Sequence, residues 1–330
     1  GKGFDPFVRR VRHVKRADNL GVQGNTNTTV YADSKSQYHV QVHYEGESFF
    51  NDWYFFDGND PTHGLINYQS RDQAVAKKLA YVDDATGMTV LTVDSKSTVP
   101  VGGKRDSVRV STKQTWDRGL FIADFAFMPH GCSVWPAYWS VGPHWPMAGE
   151  IDILEGVHNQ PKNQYTLHTG IPCDLPSDGK GIDATGGLIW HDCQTYPTDN
   201  RGCGFSDPSD VSYGAGFNNA GGGVLAHEWN SDHVRVWFFP RSKIPDDISA
   251  KKPNPSSWGQ PVAAWDSQYC NIDKALYQHS LVLDIALCGD WAGPAYAQSG
   301  CPGTCEQAAA DPSNLVDAKW GINYITVFQS

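Results

Sequence analysis

Three acids crowd into six residues of the chain, Glu150-Ile-Asp152-Ile-Leu-Glu155. Carboxyls gathered on one surface can divide acid and base work between them, because the charge of one raises the pKa of the next. In a regular strand side chains alternate, so Glu150 and Asp152 share one face while Glu155 falls on the other with Ile151 and Ile153. A single β-bulge near Ile153-Leu154 adds one residue, returns Glu155 to the side of Glu150 and buries Leu154 with the isoleucines. The outer Cα atoms are then offset by the equivalent of four strand positions, about 13 Å at roughly 3.3 Å per residue. Glutamates leaning inward leave about 5 Å between carboxyls, the gap of retaining glycoside cleavage. On this reading Glu150 is the nucleophile, Glu155 the general acid/base, and Asp152 the acid that hydrogen-bonds the nucleophile.

The flanking aromatics fit a sugar. Trp135-Pro-Ala-Tyr138-Trp139 and Trp145 lie just upstream, and pyranose rings present apolar C–H faces that stack on indoles. Other chemistries find no support. His227 and His233 are six apart, which is not the zincin spacing of four. The glycine run 214–223 lacks dinucleotide-loop spacing, and no Gly-x-Ser-x-Gly elbow or P-loop occurs.

Strands must position these residues. With 33 Gly, 20 Pro and 12% aromatics, the composition favours many turns joining aromatic strands. Short alternating segments predict strands at Tyr38–Tyr44, Met88–Val93, Ser107–Ser111, Leu120–Phe127, Tyr165–Thr169, His233–Phe239, Leu281–Leu287 and Ile322–Phe328. In the first, Tyr38, Val40, Val42 and Tyr44 should share the buried face. No helix–strand alternation intervenes, so antiparallel sheets are expected. One helical window stands out, Glu306–Ala310, and Cys173–Gly223 reads as long bridged loops. The absence of repeats and linkers gives one domain over 17–330, preceded by a basic extension, 1–16, with six Lys or Arg.

A net charge of −10 argues against nucleic-acid or anionic-membrane partners and suits a neutral ligand. Eight cysteines among loop residues predict four disulfides in an oxidising compartment, with pairing left open. No apolar run approaches the roughly 20 residues of a membrane span. The start at Gly1 reads as a mature or trimmed end, and Asn27-Thr28-Thr29 is a glycosylation sequon consistent with secretion.

The ordered motifs Asp60-Pro-Thr-His-Gly64, Trp-Pro-Ala-Tyr-Trp (135–139), Glu-Ile-Asp-Ile-Leu-Glu-Gly-Val (150–157), Leu-His-Thr (167–169), Val236-Trp-Phe-Phe-Pro-Arg241 and Cys-Gly-Asp-Trp-Ala-Gly (288–293) carry a resemblance spanning roughly 30–330. They resemble fungal members of glycoside hydrolase family 16, the laminarinase-like endo-β-1,3(4)-glucanases. The resemblance implies an all-β fold, a β-jelly-roll sandwich of two curved antiparallel sheets whose concave face is a β-glucan cleft. It implies Glu150, Asp152 and Glu155 in the roles above. It also implies substrate contacts from Trp135, Trp139, Trp145, His168 and Trp291, with Arg109 a further polar contact. A secreted monomer needing no cofactor follows by the same route. Family members often hold a structural calcium ion, for which the sequence identifies no ligands, so the metal stays open. A cell-wall transglycosylase would share the covalent intermediate, and a galactan-acting relative would share the acids. A glucan-binding module without turnover would be expected to lose one acid, and all three are present.

Overall fold

Strands with one dry face need a second sheet to cover it. A computed structural model describes residues 36–330. The basic stretch 1–16 and the sequon at Asn27 lie outside the described residues. One sheet has the order β12 (Gly187–Trp190), β13 (Cys203–Ser206), β11 (Gln164–His168), β10 (Glu150–Glu155), β9 (Val134–Val141), β17 (Ser280–Leu287), β7 (Arg109–Thr112), β2 (Trp53–Phe55). The second has the order β16 (Ala263–Asp266), β15 (His233–Pro240), β14 (Gly223–Trp229), β8 (Gly119–Phe127), β18 (Lys319–Gln329), β5 (Thr89–Thr92), β4 (Ala80–Val82), and β1 (His39–Tyr44) also pairs with β18. Every pairing within these sheets is antiparallel. Two short strands, β3 (Ile66–Tyr68) and β6 (Arg105–Ser107), form a separate parallel pair.

The main core lies between the sheets. Ile151, Ile153 and Leu154 of β10, with Leu281, Leu283 and Ile285 of β17, meet Phe121 and Phe125 of β8 and Trp320 and Ile322 of β18. Smaller apolar groups sit on the opposite face of the β10 sheet. Trp135 packs there with Val157, Ala286 and Ala292, and Trp139 with Ala137, Val141 and Val282. The sheet thus has an oily inner face and an aromatic, polar outer face, and the outer one carries the acids.

Polar side chains are also trapped in the core, His227 among them. His227 of β14 has no exposed surface, its ring stacks on Phe121 at 4.5 Å, and neither ring nitrogen has a hydrogen-bond partner. Burial first, then neighbouring His279, pushes its pKa down to about 3, while burial takes His279 to about 4. Both values fall below the ordinary 6.5, so on acidification the unfolded chain takes up protons that the folded chain refuses. Stability is therefore lost as pH falls from about 6.5 toward 3–4. His227→Leu removes the two unsatisfied atoms, and a gain of about 1–3 kcal/mol is expected. Its thermal midpoint should drop less than that of the wild type between pH 7 and pH 4.5. Equal drops would contradict this account.

Several boundaries differ from the sequence expectation. Val40 is 40% exposed, because β1 carries a bulge between Val40 and Val42 against β18 that turns it out of the buried set. The segment Ser107–Ser111 is two strands: Arg105–Ser107 pairs with β3, and past Val108 the chain crosses into the large sheet as β7. The stretch 173–223 contains β12, β13 and a helix, Gly214–Asn219, so this glycine-rich segment builds the edge of the site-bearing sheet. Short helices occur beyond the expected window, among them Arg71–Ala76, capped by Ser70, and Gly289–Ala295. The expected helix is present as Cys305–Ala310, opened by a Thr304–Gln307 capping box. The cysteines form four bridges, Cys132–Cys301, Cys173–Cys270, Cys193–Cys203 and Cys288–Cys305. Among the described residues, no helix is long and apolar enough to cross a membrane.

Candidate active site

The bulge lies where the acid spacing requires it. Against β9, Glu150 pairs with Val141, Asp152 with Trp139, Leu154 with Tyr138 and Glu155 with Ala137, so Ile153 is the extra residue. Against β11, Glu150 faces His168, Asp152 faces Thr166 and Glu155 faces Gln164. Directly opposed residues share a face, so Glu150, Asp152 and Glu155 stand with Trp139 and His168 on the side away from the core. From Val141 to Ala137 is four regular positions, about 13 Å, which matches the offset expected from the sequence.

A bulge leaves backbone groups outside the ladder, and Asn163 collects them. Its Oδ1 accepts from the Glu155 backbone N–H at 2.9 Å, and its Nδ2 donates to the Ile153 carbonyl at 2.7 Å. Asn163 is fully buried and its own N–H donates to Ser212 Oγ at 2.9 Å. Sequence reasoning missed this residue, because nothing local to Lys162-Asn163-Gln164 says which carbonyl will need a donor.

Each glutamate accepts one indole N–H. Trp145 Nε1 donates to Glu150 Oε2 at 2.8 Å, and Trp135 Nε1 donates to Glu155 Oε1 at 3.0 Å. Trp145 is delivered by the β9–β10 hairpin, which rejoins the sheet at Gly149. There φ is +75°, and a Cβ would lie 2.3 Å from the Leu276 side chain and 2.6 Å from the Ala275 carbonyl, so glycine is required. Asp152 Oδ2 lies 3.1 Å from His168 Nε2. Glu150 and Asp152 have no exposed surface and Glu155 has 5%.

The other expected contact residues divide by depth. Trp145 is half-buried, and its ring lies 6.4 Å from that of His168. Trp291, half-buried on the helix Gly289–Ala295, meets Trp135 edge-on at 5.9 Å. The Asp60–Gly64 motif steadies that helix: Asp60 accepts from the Thr62 and Gly64 N–H groups, and the Thr62 carbonyl accepts from the Asp290 N–H. The Cys288–Cys305 bridge ties its start. Trp139 and Arg109 lie deeper, with 0% and 3% exposure. The Arg109 guanidinium lies 5.1 Å from both the Phe56 and Trp139 rings, and Trp139 Nε1 donates to Asp284 Oδ2 at 2.8 Å. Large side chains on this face cover one another, which puts these two in the floor of the site. Asp284 was also missed, although a lone acid in Leu281-Val-Leu-Asp284-Ile-Ala-Leu287 falls in the phase facing away from the core.

A cavity of about 550 Å³, lined by Ile182, Leu188, Trp190 and Phe205 among others, lies at the β12 edge. None of the acids lines it; they stand in a row along β10 on one face of the sheet. Among the described residues, the side-chain group close enough to share a metal ion is Glu150, Asp152 and His168, with ligand atoms within 4.8 Å of one another. Calcium takes six to eight oxygen ligands. Two buried carboxylates and an imidazole do not fit it.

The fold has close relatives among solved structures. Laminarinase 16A from Phanerochaete chrysosporium, solved with two beta-glucans (6-O-glucosyl-laminaritriose) in donor and acceptor sites, superposes with a TM-score of 0.84 at 35% identity, covering 88% of this chain and 99% of that one. An elongating GH family 16 beta-1,3-glucosyltransferase superposes with a TM-score of 0.83 at 37% identity, covering 89% and 100%. The two sheets are the jelly-roll sandwich of these proteins, and the chain belongs to glycoside hydrolase family 16. Within that family, residues 53–328 match the XgeA-like catalytic GH16 domain. An endo-1,3(4)-beta-glucanase of Arthroderma benhamiae is 38% identical over 302 residues, covering 88% of this chain and 65% of that protein. The chain spans about half the length of several other curated relatives.

Proposed function

We propose that this chain is a retaining endo-β-glucanase that hydrolyses β-1,3 linkages, including those of mixed β-1,3/1,4 glucans, by double displacement. The observation that carries it is the bulged strand, which sets Glu150 and Glu155 four regular positions apart on the face away from the core. Glu150 attacks the anomeric carbon as Glu155 gives its proton to the departing oxygen, and a glycosyl-enzyme ester forms. Water then attacks that carbon as Glu155 takes its proton back. Asp152, held beside His168, orders the nucleophile end. Trp145 and Trp291 border the bound sugar, and Trp139, Arg109 and Asp284 keep the floor beneath it rigid. The similarity to the glucanase of Arthroderma benhamiae supports the substrate class. Four disulfides suit work outside the cell, in an oxidising setting.

Mass spectrometry of products from laminarin, mixed-linkage glucan and galactan, with and without an added oligosaccharide acceptor, tests this. Shorter β-1,3 oligosaccharides from the first two are expected, with galactan untouched. Products longer than the supplied acceptor, in excess of hydrolysis, would replace the hydrolase with a transglycosylase, the activity named for the 37%-identical glucosyltransferase.

A further inference from the structure

Given double displacement as proposed above, we propose that the indole N–H groups of Trp145 and Trp135 hold Glu150 and Glu155 respectively in place and bias each toward its anion, which makes both tryptophans positioning residues. The two contacts are separate. Trp145 comes from the β9–β10 hairpin and reaches Glu150 Oε2 at 2.8 Å. Trp135 stands at the other end of β9, 4% exposed, braced by Trp291, and reaches Glu155 Oε1 at 3.0 Å. Each donor binds the ionised carboxylate more strongly than the neutral acid, so each favours the anion of its own partner.

The consequences for the two glutamates differ. Glu150 must be an anion to attack, and the Trp145 donor supports that state throughout. Glu155 must carry a proton in the first half of the cycle and accept one in the second. An N–H directed at Oε1 favours that oxygen as the carbonyl of the protonated acid, which assigns the transferable proton to Oε2. From Oε2 it passes to the glycosidic oxygen as that C–O bond breaks and the Glu150 ester bond forms. A proton from water returns to Oε2 as the ester is cleaved. The other ionisable side chains around the pair are Asp152 on the same strand, His168 opposite on β11, Asp284 on β17, Arg109 on β7 and Tyr213 before the helix Gly214–Asn219.

Indole-¹⁵N-labelled protein gives one N–H signal for each of its 12 tryptophans, and Trp135→Phe and Trp145→Phe assign the two of interest. Both signals are expected to move with pH. Glu150→Gln should freeze that of Trp145 alone, and Glu155→Gln that of Trp135 alone. In pH–rate profiles, Trp145→Phe should move the acid limb, and Trp135→Phe the basic limb, each upward by about one pH unit. The limbs belong to coupled acids, so each variant is judged by the limb that moves further. Indole signals indifferent to pH, or limbs unmoved in variants that are only slower, overturn the proposal. Glu150→Gln or Glu155→Gln with near-normal activity overturns instead the double displacement beneath it. Glu150→Gln and Glu155→Gln, each freezing one signal, also identify the two indoles in the wild-type titration, so a destabilised phenylalanine variant leaves a decisive measurement.

Discussion

Glu150→Gln is expected to slow hydrolysis of laminarin by roughly 10⁴-fold or more, with the fold retained. The amide keeps the size of the side chain and an acceptor for the Trp145 N–H, so the loss reports on the missing nucleophile. The smaller variant Glu150→Gly opens space below the anomeric carbon, where added azide can attack. With Glu155 still protonating the departing oxygen, the product should be the α-glycosyl azide, of inverted configuration. Retained configuration from this variant would exchange the assigned roles of the two glutamates.

Glu155→Ala should cost laminarin hydrolysis about 10²–10⁴-fold, the usual range for a lost general acid. A substrate whose leaving group departs unaided, such as a dinitrophenyl glycoside, should still form the ester at near the normal rate. The ester then accumulates for want of a base, so a burst followed by slow turnover is expected. Azide needs no base, and it should restore turnover with the β-glycosyl azide as product. Equal losses on activated and natural substrates would remove Glu155 from the proton-transfer role.

The path of β10 was legible because its acids fall out of phase with its apolar residues. Only an extra residue can put Ile151, Ile153 and Leu154 in the core while three acids leave it. What completes the site was not legible. Asn163 works through a backbone carbonyl ten residues away, and its choice of partner exists only after β10 and β11 have paired. Depth is a property of neighbours that no local pattern gives: Trp139 is covered by Arg109, itself packed on Phe56, and is bonded to Asp284, all of which the fold brings from three other segments. The break at Val108 was hidden because alternation is blind to a change of sheet. Eight cysteines imply bridges, yet their pairing depends on loop ends that no local pattern brings together.

The two ends of the bulged strand are moored to different parts of the chain. Glu150 is tied to the hairpin ahead of it through Trp145, and Glu155 to the turn behind it through Asn163. A polymer drawn across one mooring therefore does not have to drag the other. With Glu155 as the proposed proton carrier and Glu150 as the proposed nucleophile, the carrier can trade duties midway through each turnover while the attacking group stays fixed, as a workpiece is turned in one jaw of a vice whose opposite jaw never opens.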